Sequence, residues 1–263
     1  MELNLSSKVV LVCGASQGIG FATAREFANE GASVIICSRN KKRIEQAAKQ
    51  ILQTTNKTVL PFPADLSRTN EIDALISFIH SKFSRVDVLV NNAGGPPPGA
   101  YLEFDQQDWK AAFDLTFTSA NYLTHQLLPG MVDQQWGRII NLTSITVKQP
   151  IDNLVFSNAM RLAVVGWAKT LSNQFGKDGI TVNNIATGRI RTERLSKLAE
   201  TSAKAQGMTS DDIFNGWISQ IPVGRLGTPE EIAWMVLYLA SEKAGFITGT
   251  TISVDGGENK GIF

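Results

Sequence analysis

The stretch VVLVCGASQGIG, residues 9–20, determines the fold that the sequence predicts. Its first part, residues 9–13, is apolar and mostly β-branched, which is typical of a buried strand. The turn that follows carries Gly14, Gly18 and Gly20, and a helical pattern begins directly after it. Small residues at such a junction let a pyrophosphate approach the backbone, and the helix N-terminus attracts its negative charge. The stretch therefore predicts a dinucleotide-binding turn; the alternative is a tight strand–helix connection without a ligand.

Short apolar runs alternate with helix-length segments along the whole chain. The runs comprise residues 9–13, 34–37, 59–62, 86–91, 138–142, 180–186 and 251–255. Nearly every residue in them is apolar, as expected for strands of a parallel sheet that is covered on both faces. This alternation predicts one doubly wound α/β domain with a parallel, Rossmann-type sheet over residues 1–263.

The composition is that of an ordinary globular protein. The 263 residues are 43% hydrophobic and 19% charged, and the formal net charge of +1 gives no electrostatic reason to expect nucleic acid or membrane partners. No apolar run reaches the roughly 18 residues of a membrane-spanning helix, and the N-terminus has no signal-peptide pattern. The two cysteines, Cys13 and Cys37, lie in strand-like runs without disulfide or metal spacing. We therefore expect buried thiols, no metal site and a cytoplasmic protein.

Two further strand ends carry polar residues suited to a nucleotide. Asp65 closes the third apolar run, where its carboxylate and backbone neighbours are placed to contact an adenine. The sequence NNAG, residues 91–94, closes the fourth run. Ligands of open α/β sheets bind at this carboxyl edge, so both segments support a nucleotide site.

The end of the second strand, CSRN at residues 37–40, indicates which dinucleotide is bound. NAD-binding folds usually place an acidic residue there, which holds the ribose 2′-hydroxyl. Ser38 instead adds no repelling charge, and Arg39 can pair with a 2′-phosphate, with Lys41 and Lys42 just behind it. We therefore predict NADP(H) in preference to NAD(H); the alternative is a solvated basic helix start.

Six motifs occur in a fixed order along the chain. They are GASQGIG at 14–20, DL at 65–66, NNAG at 91–94, GRIINLTS at 137–144, VNNIATG at 182–188 and ITGTTISVDGG at 247–257. In this order the chain resembles the short-chain dehydrogenase/reductase family, particularly its 3-oxoacyl-[acyl-carrier-protein] reductase-like members. The resemblance implies hydride transfer between a nicotinamide and a carbonyl or alcohol substrate. With the arguments above, it predicts the following cofactor contacts: Gly14, Ser16, Gln17, Gly18, Ile19, Gly20, Ser38, Arg39, Asp65, Leu66, Asn92, Ala93, Gly94, Arg161, Gly188 and Ile190.

The resemblance also implies a catalytic serine, tyrosine and lysine, and an asparagine on a preceding helix that organises a water relay. Matched by register, these positions hold Ser144, Ser157, Arg161 and Thr116 respectively, so only the serine is retained. A serine hydroxyl is a much weaker acid than a phenol with a pKa near 10. Loss of a positioned acid typically costs about 10² to 10⁴ in rate, which permits a slowed enzyme and does not require an inactive one.

Two classes of function are therefore open. The preferred interpretation is an NADP(H)-dependent oxidoreductase whose substrate is a 3-oxoacyl thioester, a sugar, a steroid or a small ketone. The alternative is a catalytically impaired regulatory or scaffold protein that binds NADP(H). A substitute proton donor would have to come from elsewhere; Lys148, Asp152 and Asn153 lie between the two serines, and for each the alternative is a solvated loop residue.

A polar, helix-prone segment from about residue 188 to 220 lies where the family has a mobile substrate lid. It begins with Arg189, Arg191 and Arg194, which either recognise an anionic substrate or the cofactor phosphates or form a solvated face. The resemblance further implies a homo-oligomer, a tetramer or a dimer, built through helices at residues 106–133 and 154–175.

Overall fold

The computed structural model describes residues 2–262 as a seven-stranded sheet with helices on both faces. The strands are β1 (Val9–Cys13), β2 (Ser33–Ser38), β3 (Leu60–Pro63), β4 (Val88–Asn91), β5 (Gly137–Leu142), β6 (Ile180–Thr187) and β7 (Thr251–Val254). Their spatial order is β3-β2-β1-β4-β5-β6-β7, and every neighbouring pair is parallel. The predicted doubly wound α/β domain is confirmed.

The helices occupy the segments between the strands. They are α1 (Gly18–Asn29), α2 (Lys41–Thr55), α3 (Thr69–His80), α4 (Gln106–Phe113), α5 (Ser119–Asp133), α6 (Val155–Phe175), α7 (Glu193–Gln206), α8 (Ser210–Ile218) and α9 (Pro229–Ala240). The helix predicted at residues 106–133 is interrupted by a π-helical turn, Asp114–Thr118, which joins α4 to α5. Within residues 2–262, none of these helices combines the length and the apolar character needed to span a bilayer.

Side chains of β1 alternate between two cores, one on each face of the sheet. Val10 and Val12 pack in the core that α1, α2 and α9 cover, whereas Leu11 and Cys13 pack in the core beneath α3, α5 and α6. Both faces of the strand are therefore removed from water, which explains why the strand sequences are apolar at nearly every position.

Every predicted strand except the first differs from the structure by one or two residues at one or both ends, and local hydrogen bonds explain two of these differences. β4 begins at Val88 because the carboxylate of Asp87 accepts hydrogen bonds from the Val9 amide at 2.7 Å and from Arg85 at 3.1 Å. β7 ends at Val254 because the carboxylate of Asp255 accepts from two amides further along the chain and starts a turn. The third strand is shifted by one residue to Leu60–Pro63.

The cysteines occupy neighbouring strands, as the sequence predicts for buried thiols. Cys13 and Cys37 are directly paired in the register of β1 and β2, and both are buried and free. The hydrogen bond with Cys37, followed by burial, raises the pKa of the Cys13 thiol well above its ordinary value. The Cys13 thiol is therefore protonated at neutral pH and is unreactive.

Candidate active site

A cleft of about 1020 Å³ opens at the carboxyl edge of the sheet, where the strand order reverses between β1 and β4. Chain segments leaving these two strands run to opposite sides of the sheet, which leaves a crevice between them. The ends of β1, β2, β4, β5 and β6 form its floor and walls, and side chains of α7 cover part of it. Its volume lies at the upper end of the range of about 300–1,000 Å³ for small-molecule sites.

The glycine turn has the backbone conformation that a phosphate site requires. Gly14 and Gly18 have φ angles of +59° and +58°, and a Cβ on Gly14 would overlap the Asn92 carbonyl oxygen. A Cβ on Gly20 would overlap the Gly14 carbonyl oxygen, so this third glycine shapes the turn without lining the cleft. Helix α1 begins at Gly18 with no side-chain cap and no acidic residue in its first turn. Its N-terminal amides are therefore available to an anion in the cleft.

The carboxyl end of β2 provides polar and basic groups to the same cleft. Ser38 and Arg39 line it, and the Ser38 hydroxyl oxygen is buried without a hydrogen-bond partner. Arg43 also lines the cleft and donates to Gln17 Oε1 at 3.0 Å. Lys41 and Lys42, which the sequence analysis placed behind the site, do not line it.

Arg43 is a site residue that sequence reasoning missed. Its position in the first helical turn could have been predicted, because asparagine is a typical helix N-cap residue. Asn40 caps α2, and its Oδ1 accepts from the Arg43 amide at 3.0 Å. Arg43 is thus in the first turn of α2, the end of the helix that adjoins the cleft.

The remaining predicted cofactor residues lie mostly together. Those that line the cleft are Gly14, Ser16, Gln17, Gly18, Ile19, Ser38, Arg39, Asp65, Leu66, Asn92, Ala93, Gly94, Arg161, Gly188 and Ile190. The Asp65 carboxylate accepts hydrogen bonds from the Ser67 amide and hydroxyl at 3.1 and 2.8 Å, which fixes its orientation. Asn92 donates to the Cys13 carbonyl at 3.2 Å and so ties the end of β4 to the glycine turn.

Ser144 and Ser157 both line the cleft and share a partner, Thr146. Ser144 follows β5, and its Oγ accepts from the Thr146 amide at 3.2 Å. The Ser144 hydroxyl proton is consequently available for a ligand. Ser157 lies in the first turn of α6, where its Oγ is 3.2 Å from the Thr146 Oγ1 and the two side chains are buried. Sequence reasoning missed Thr146, because nothing in its local sequence indicates contact with a residue eleven positions later.

Arg161 lies one helical turn after Ser157 and brings a positive charge to the cleft. Its Nη1 donates to the Leu142 carbonyl oxygen at 2.8 Å. Burial, with a smaller contribution from the nearby charge of Arg194, lowers the pKa of Arg161 to about 10. The guanidinium is still protonated at neutral pH, and within residues 2–262 it forms no ion pair with a carboxylate.

Thr116 is not brought to the cleft. It lies in the π-helical turn, is buried, and lines a separate small cavity that Arg161 also borders. Of the three residues considered as substitute proton donors, Asp152 and Asn153 line the cleft and Lys148 does not. No tyrosine or histidine lines the part of the cleft formed by the described residues.

The arginines of the predicted lid mostly contact protein groups. Arg189 is ion-paired with the buried Glu258 and lies 4.9 Å from the centre of the Trp217 ring. Arg194 donates to the carbonyl oxygens of Gly95 and Pro96 at 2.9 and 3.0 Å. Arg191 is exposed and does not line the cleft. Two of the three arginines therefore hold the segment in place, which weakens the interpretation that all three bind an anion.

The start of α7 makes contacts on both sides of the cleft. Glu193 lies 3.6 Å from Arg43 in an ion pair on the wall formed by the start of α2, and Arg194 reaches the loop after β4 on the other wall. Thr192, which caps α7, packs against Gly18. Helices α7 and α8 make up most of the segment predicted as a lid, and the cleft-facing side chains of α7 include Leu195, Leu198 and Thr201.

The fold and this set of motifs are those of a known family. A family model described as enoyl-(acyl carrier protein) reductase matches residues 14–259. This chain belongs to the short-chain dehydrogenase/reductase family, and the resemblance indicated by its motifs is confirmed. Membership in this family indicates an oxidoreductase. It does not define the roles of Thr116, Ser157 and Arg161, which differ from the family's residues.

The similarity to individual relatives extends over essentially the whole chain. The 3-oxoacyl-[acyl-carrier-protein] reductase FabG of Chlamydia muridarum is 32% identical over 257 residues, which cover 98% of this chain and 99% of that protein. L-sorbose reductase from Gluconobacter frateurii, solved with NADPH and L-sorbose, is 32% identical with a TM-score of 0.94 and full coverage of both chains. A variant of actinorhodin polyketide ketoreductase solved with NADPH is 30% identical with a TM-score of 0.93, covering 98% of this chain and 99% of that one.

Proposed function

We propose that this protein is an NADP(H)-dependent oxidoreductase that interconverts a carbonyl group and an alcohol. The observation that carries the proposal is that one cleft unites an uncapped helix N-terminus behind a glycine turn with the free hydroxyl of Ser144. The first feature suits a dinucleotide pyrophosphate, and the second suits the oxygen of a carbonyl substrate.

Three residues support NADP(H) in preference to NAD(H). Arg39 and Arg43 line the cleft at the end of β2, and each can form charge-assisted hydrogen bonds with a 2′-phosphate. The unpartnered hydroxyl oxygen of Ser38 would gain a partner from the same part of the cofactor. The relatives solved with NADPH are consistent with this assignment.

The chain's own residues hold and polarise the substrate. When bound, the nicotinamide ring supplies or accepts the hydride. Ser144 donates a hydrogen bond to the substrate oxygen, because its Oγ accepts from the Thr146 amide while its hydroxyl proton stays free. Arg161 adds a fixed positive charge at the same wall of the cleft and stabilises negative charge that develops on that oxygen. A single positioned donor of this kind is worth about 10² to 10³ in rate.

The proton comes from water in the cleft, because Ser157 is a poor acid and its hydroxyl is already paired with Thr146. Without a positioned acid, the reaction rate is lower by a factor of about 10² to 10⁴. Positioning of the two reactants, which contributes roughly 7–11 kcal/mol, does not depend on Ser157. We therefore propose a slow enzyme rather than an inactive one.

The competing proposal is a regulatory or scaffold protein that binds NADP(H) without turnover. It is favoured by the absence of any phenol or imidazole from the cleft walls within residues 2–262. The two proposals share the cofactor site and differ only in whether the cofactor is ever oxidised.

Calorimetric titration with NADPH and NADH, followed by a turnover screen, separates the proposals. The screen includes a 3-oxoacyl thioester, a ketose, a steroid and a small ketone, since FabG proteins and L-sorbose reductase are both similar to this chain. For an enzyme, Ser144→Ala lowers kcat by about 10² to 10³ and leaves the Kd for NADPH unchanged. Tight NADPH binding with no turnover of any substrate supports the regulator, and no affinity for either dinucleotide overturns both.

The family relationship also leads us to propose a homo-oligomer built through α4, α5 and α6. Phe113 and Leu162 support this, because they leave 41% and 53% of their surface exposed on the outer faces of α4 and α6. Light scattering during gel filtration measures the mass of the particle, and a monomer at all concentrations would contradict this part of the proposal.

A further inference from the structure

Two arginines line the cleft without a counter-ion in the protein, and we call them the arginine pair. Arg161 extends from α6, and Arg194 extends from the first turn of α7. Within residues 2–262, neither guanidinium forms an ion pair with a carboxylate. Positive charge that is partly removed from water is costly unless an anion neutralises it. The arginine pair therefore indicates a site for an anionic ligand.

The two guanidiniums lie at the ends of neighbouring strands. Arg194 donates to the carbonyl oxygens of Gly95 and Pro96, in the loop after β4, at 2.9 and 3.0 Å. Arg161 donates to the carbonyl oxygen of Leu142, the last residue of β5, at 2.8 Å. β4 and β5 are paired, and Arg194 is close enough for its charge to lower the pKa of Arg161. One anion can therefore be contacted from both walls of the cleft.

Both arginines keep hydrogen-bond donors for a ligand. Arg194 uses one N–H on each Nη atom for the two carbonyl oxygens, and a guanidinium has further N–H groups. Nη2 of Arg161 has no hydrogen-bond partner within residues 2–262, and it is not enclosed by the protein. The planar donors of a guanidinium match the two oxygens of a carboxylate.

The other charged groups of the cleft are distant or already engaged. Arg39 and Asp65 follow β2 and β3, which β1 separates from β4. Glu103 Oε2 accepts from the Ala100 amide at 3.2 Å, and Asp152 forms no ion pair within the described residues. A cofactor pyrophosphate has its own site at the uncapped start of α1. The anion that suits the arginine pair is therefore expected on the substrate.

We propose that the substrate is an oxo acid whose carboxylate binds between Arg161 and Arg194 while its carbonyl oxygen accepts a hydrogen bond from Ser144. This inference rests on the proposed function and names a substrate class for it. The carbonyl carbon gains the hydride of NADPH, which is oxidised to NADP+, and the carbonyl oxygen gains a proton from water. The product is a hydroxy acid, and its carboxylate is unchanged.

The carboxylate of this substrate must lie close to the carbonyl. Ser144 closely follows Leu142, the residue that holds Arg161, so the hydroxyl and the guanidinium are placed by the end of the same strand. In a 2-oxo or 3-oxo acid, the carbonyl and carboxylate groups are adjacent or separated by a single carbon. Leu154 and Leu195 also line the cleft and provide apolar contacts for a short alkyl chain.

Calorimetric titration at saturating NADP+ tests the proposal without turnover, because the oxidised cofactor has no hydride to transfer. The ligands are 2-oxobutyrate, acetoacetate and the methyl esters of both acids, which lack the negative charge. At least one acid should bind at least about tenfold more tightly than its ester, the factor expected for one charge-assisted hydrogen bond. Arg194→Met should remove most of this preference and leave the Kd of the ester nearly unchanged.

Two further variants separate recognition of a carboxylate from a general effect of charge. Arg194→Lys keeps the positive charge without the planar donors and should retain an intermediate preference for the acid. Arg191→Met is the matched control, because Arg191 is an exposed residue of the same segment that does not line the cleft. It should bind acids and esters as the wild type does.

The outcomes distinguish failure of this inference from failure of the proposed function. The inference is overturned if the wild type binds no acid more tightly than its ester, or if the preference is unchanged in Arg194→Met. An equal loss of preference in Arg191→Met and Arg194→Met also overturns it, because the effect is then one of net charge. In each of these cases, NADPH-dependent reduction of a neutral ketone would leave the proposed function standing. No affinity for either dinucleotide would overturn both.

Discussion

The hydroxyl oxygens of Thr146 and Ser157 lie 3.2 Å apart, and the Ser157 hydroxyl thereby has a partner inside the protein. In the family, a tyrosine is expected at the position of Ser157. The shorter side chain is buried at the edge of the cleft, whereas Ser144 keeps a free hydroxyl proton beside it. Under the proposed function, Ser144 holds the substrate oxygen, and the residue at position 157 can no longer protonate it.

This relationship predicts a gain of activity from Ser157→Tyr combined with Arg161→Lys. The phenol is long enough to extend from α6 into the cleft, and a nearby ammonium lowers its pKa toward neutrality. We expect NADPH oxidation with a responsive ketone to rise by about 10² to 10⁴. Initial rates monitored by NADPH absorbance measure the effect.

The control for this double variant is Ser157→Phe with Arg161→Lys, which adds the same ring without the hydroxyl. It should show no gain in rate while binding NADPH with a similar Kd. If the tyrosine and phenylalanine variants have equal rates, the missing proton donor is not what limits turnover.

Sequence patterns were sufficient for the sheet and for selecting residues that line one cleft, because these depend on local features. The apolar run at residues 9–13 and the glycines after it determine a strand and a turn with little help from the rest of the chain. Thr146 and Arg194 were harder, because their roles arise from contacts with Ser157 and with the Gly95 carbonyl, which are distant in sequence. Such pairings depend on how two separate loops meet at the sheet edge, and no local pattern encodes this.

The preference for NADPH over NADH, measured as the ratio of their Kd values, should depend on Arg39. Arg39→Asp replaces a partner of the 2′-phosphate with a like charge and provides an acceptor for a ribose hydroxyl. One charge-assisted hydrogen bond is worth about 1.5–3 kcal/mol, so the ratio of the two Kd values should shift toward NADH by at least about tenfold. Lys42→Asp makes the same charge change at an exposed residue outside the cleft and should leave the ratio nearly unchanged. Equal shifts in the two variants would indicate a long-range charge effect instead.

Acid stability should depend on Glu231 in the first turn of α9. Hydrogen bonds from Arg225 and from the Thr228 amide lower the pKa of Glu231 from 4.5 to about 2 in the folded protein. Because the folded-state pKa is depressed, the ionised carboxylate stabilises the fold above about pH 4.5, and this contribution is lost as the pH falls toward 2. The pair is partly exposed, so it contributes only about 0.2–1 kcal/mol.

Urea unfolding between pH 7 and pH 3 tests this assignment. Glu231→Gln should be less stable than the wild type at neutral pH, and the difference should shrink in acid. Glu200→Gln, at an exposed residue of α7 that forms no ion pair within residues 2–262, is the control and should follow the wild-type curve. A constant difference between Glu231→Gln and the wild type across this range would exclude the ion pair as its source.

The two hydrogen bonds from Arg194 to the carbonyl oxygens of Gly95 and Pro96 should control how long the cofactor stays bound. They join the start of α7 to the loop after β4, across the opening of the cleft. Arg194→Met removes both bonds and keeps the length of the side chain, so we expect NADPH to dissociate about tenfold faster in stopped-flow displacement. We also expect chymotrypsin to cleave residues 188–220 faster. Lys204→Met, in the last turn of the same helix, is the matched control and should behave like the wild type.

The same contact can be broken from the other wall of the cleft. A Cβ on Gly95 would overlap the Arg194 guanidinium, so Gly95→Ala should displace that side chain and reproduce the faster release without changing any residue of α7. Because the charge of Arg194 helps to lower the pKa of Arg161, Arg194→Met should also raise the pKa of Arg161. If Gly95→Ala and Arg194→Met both leave the release rate of NADPH unchanged, the start of α7 does not retain the cofactor, and the proposed role of residues 188–220 as a lid is wrong.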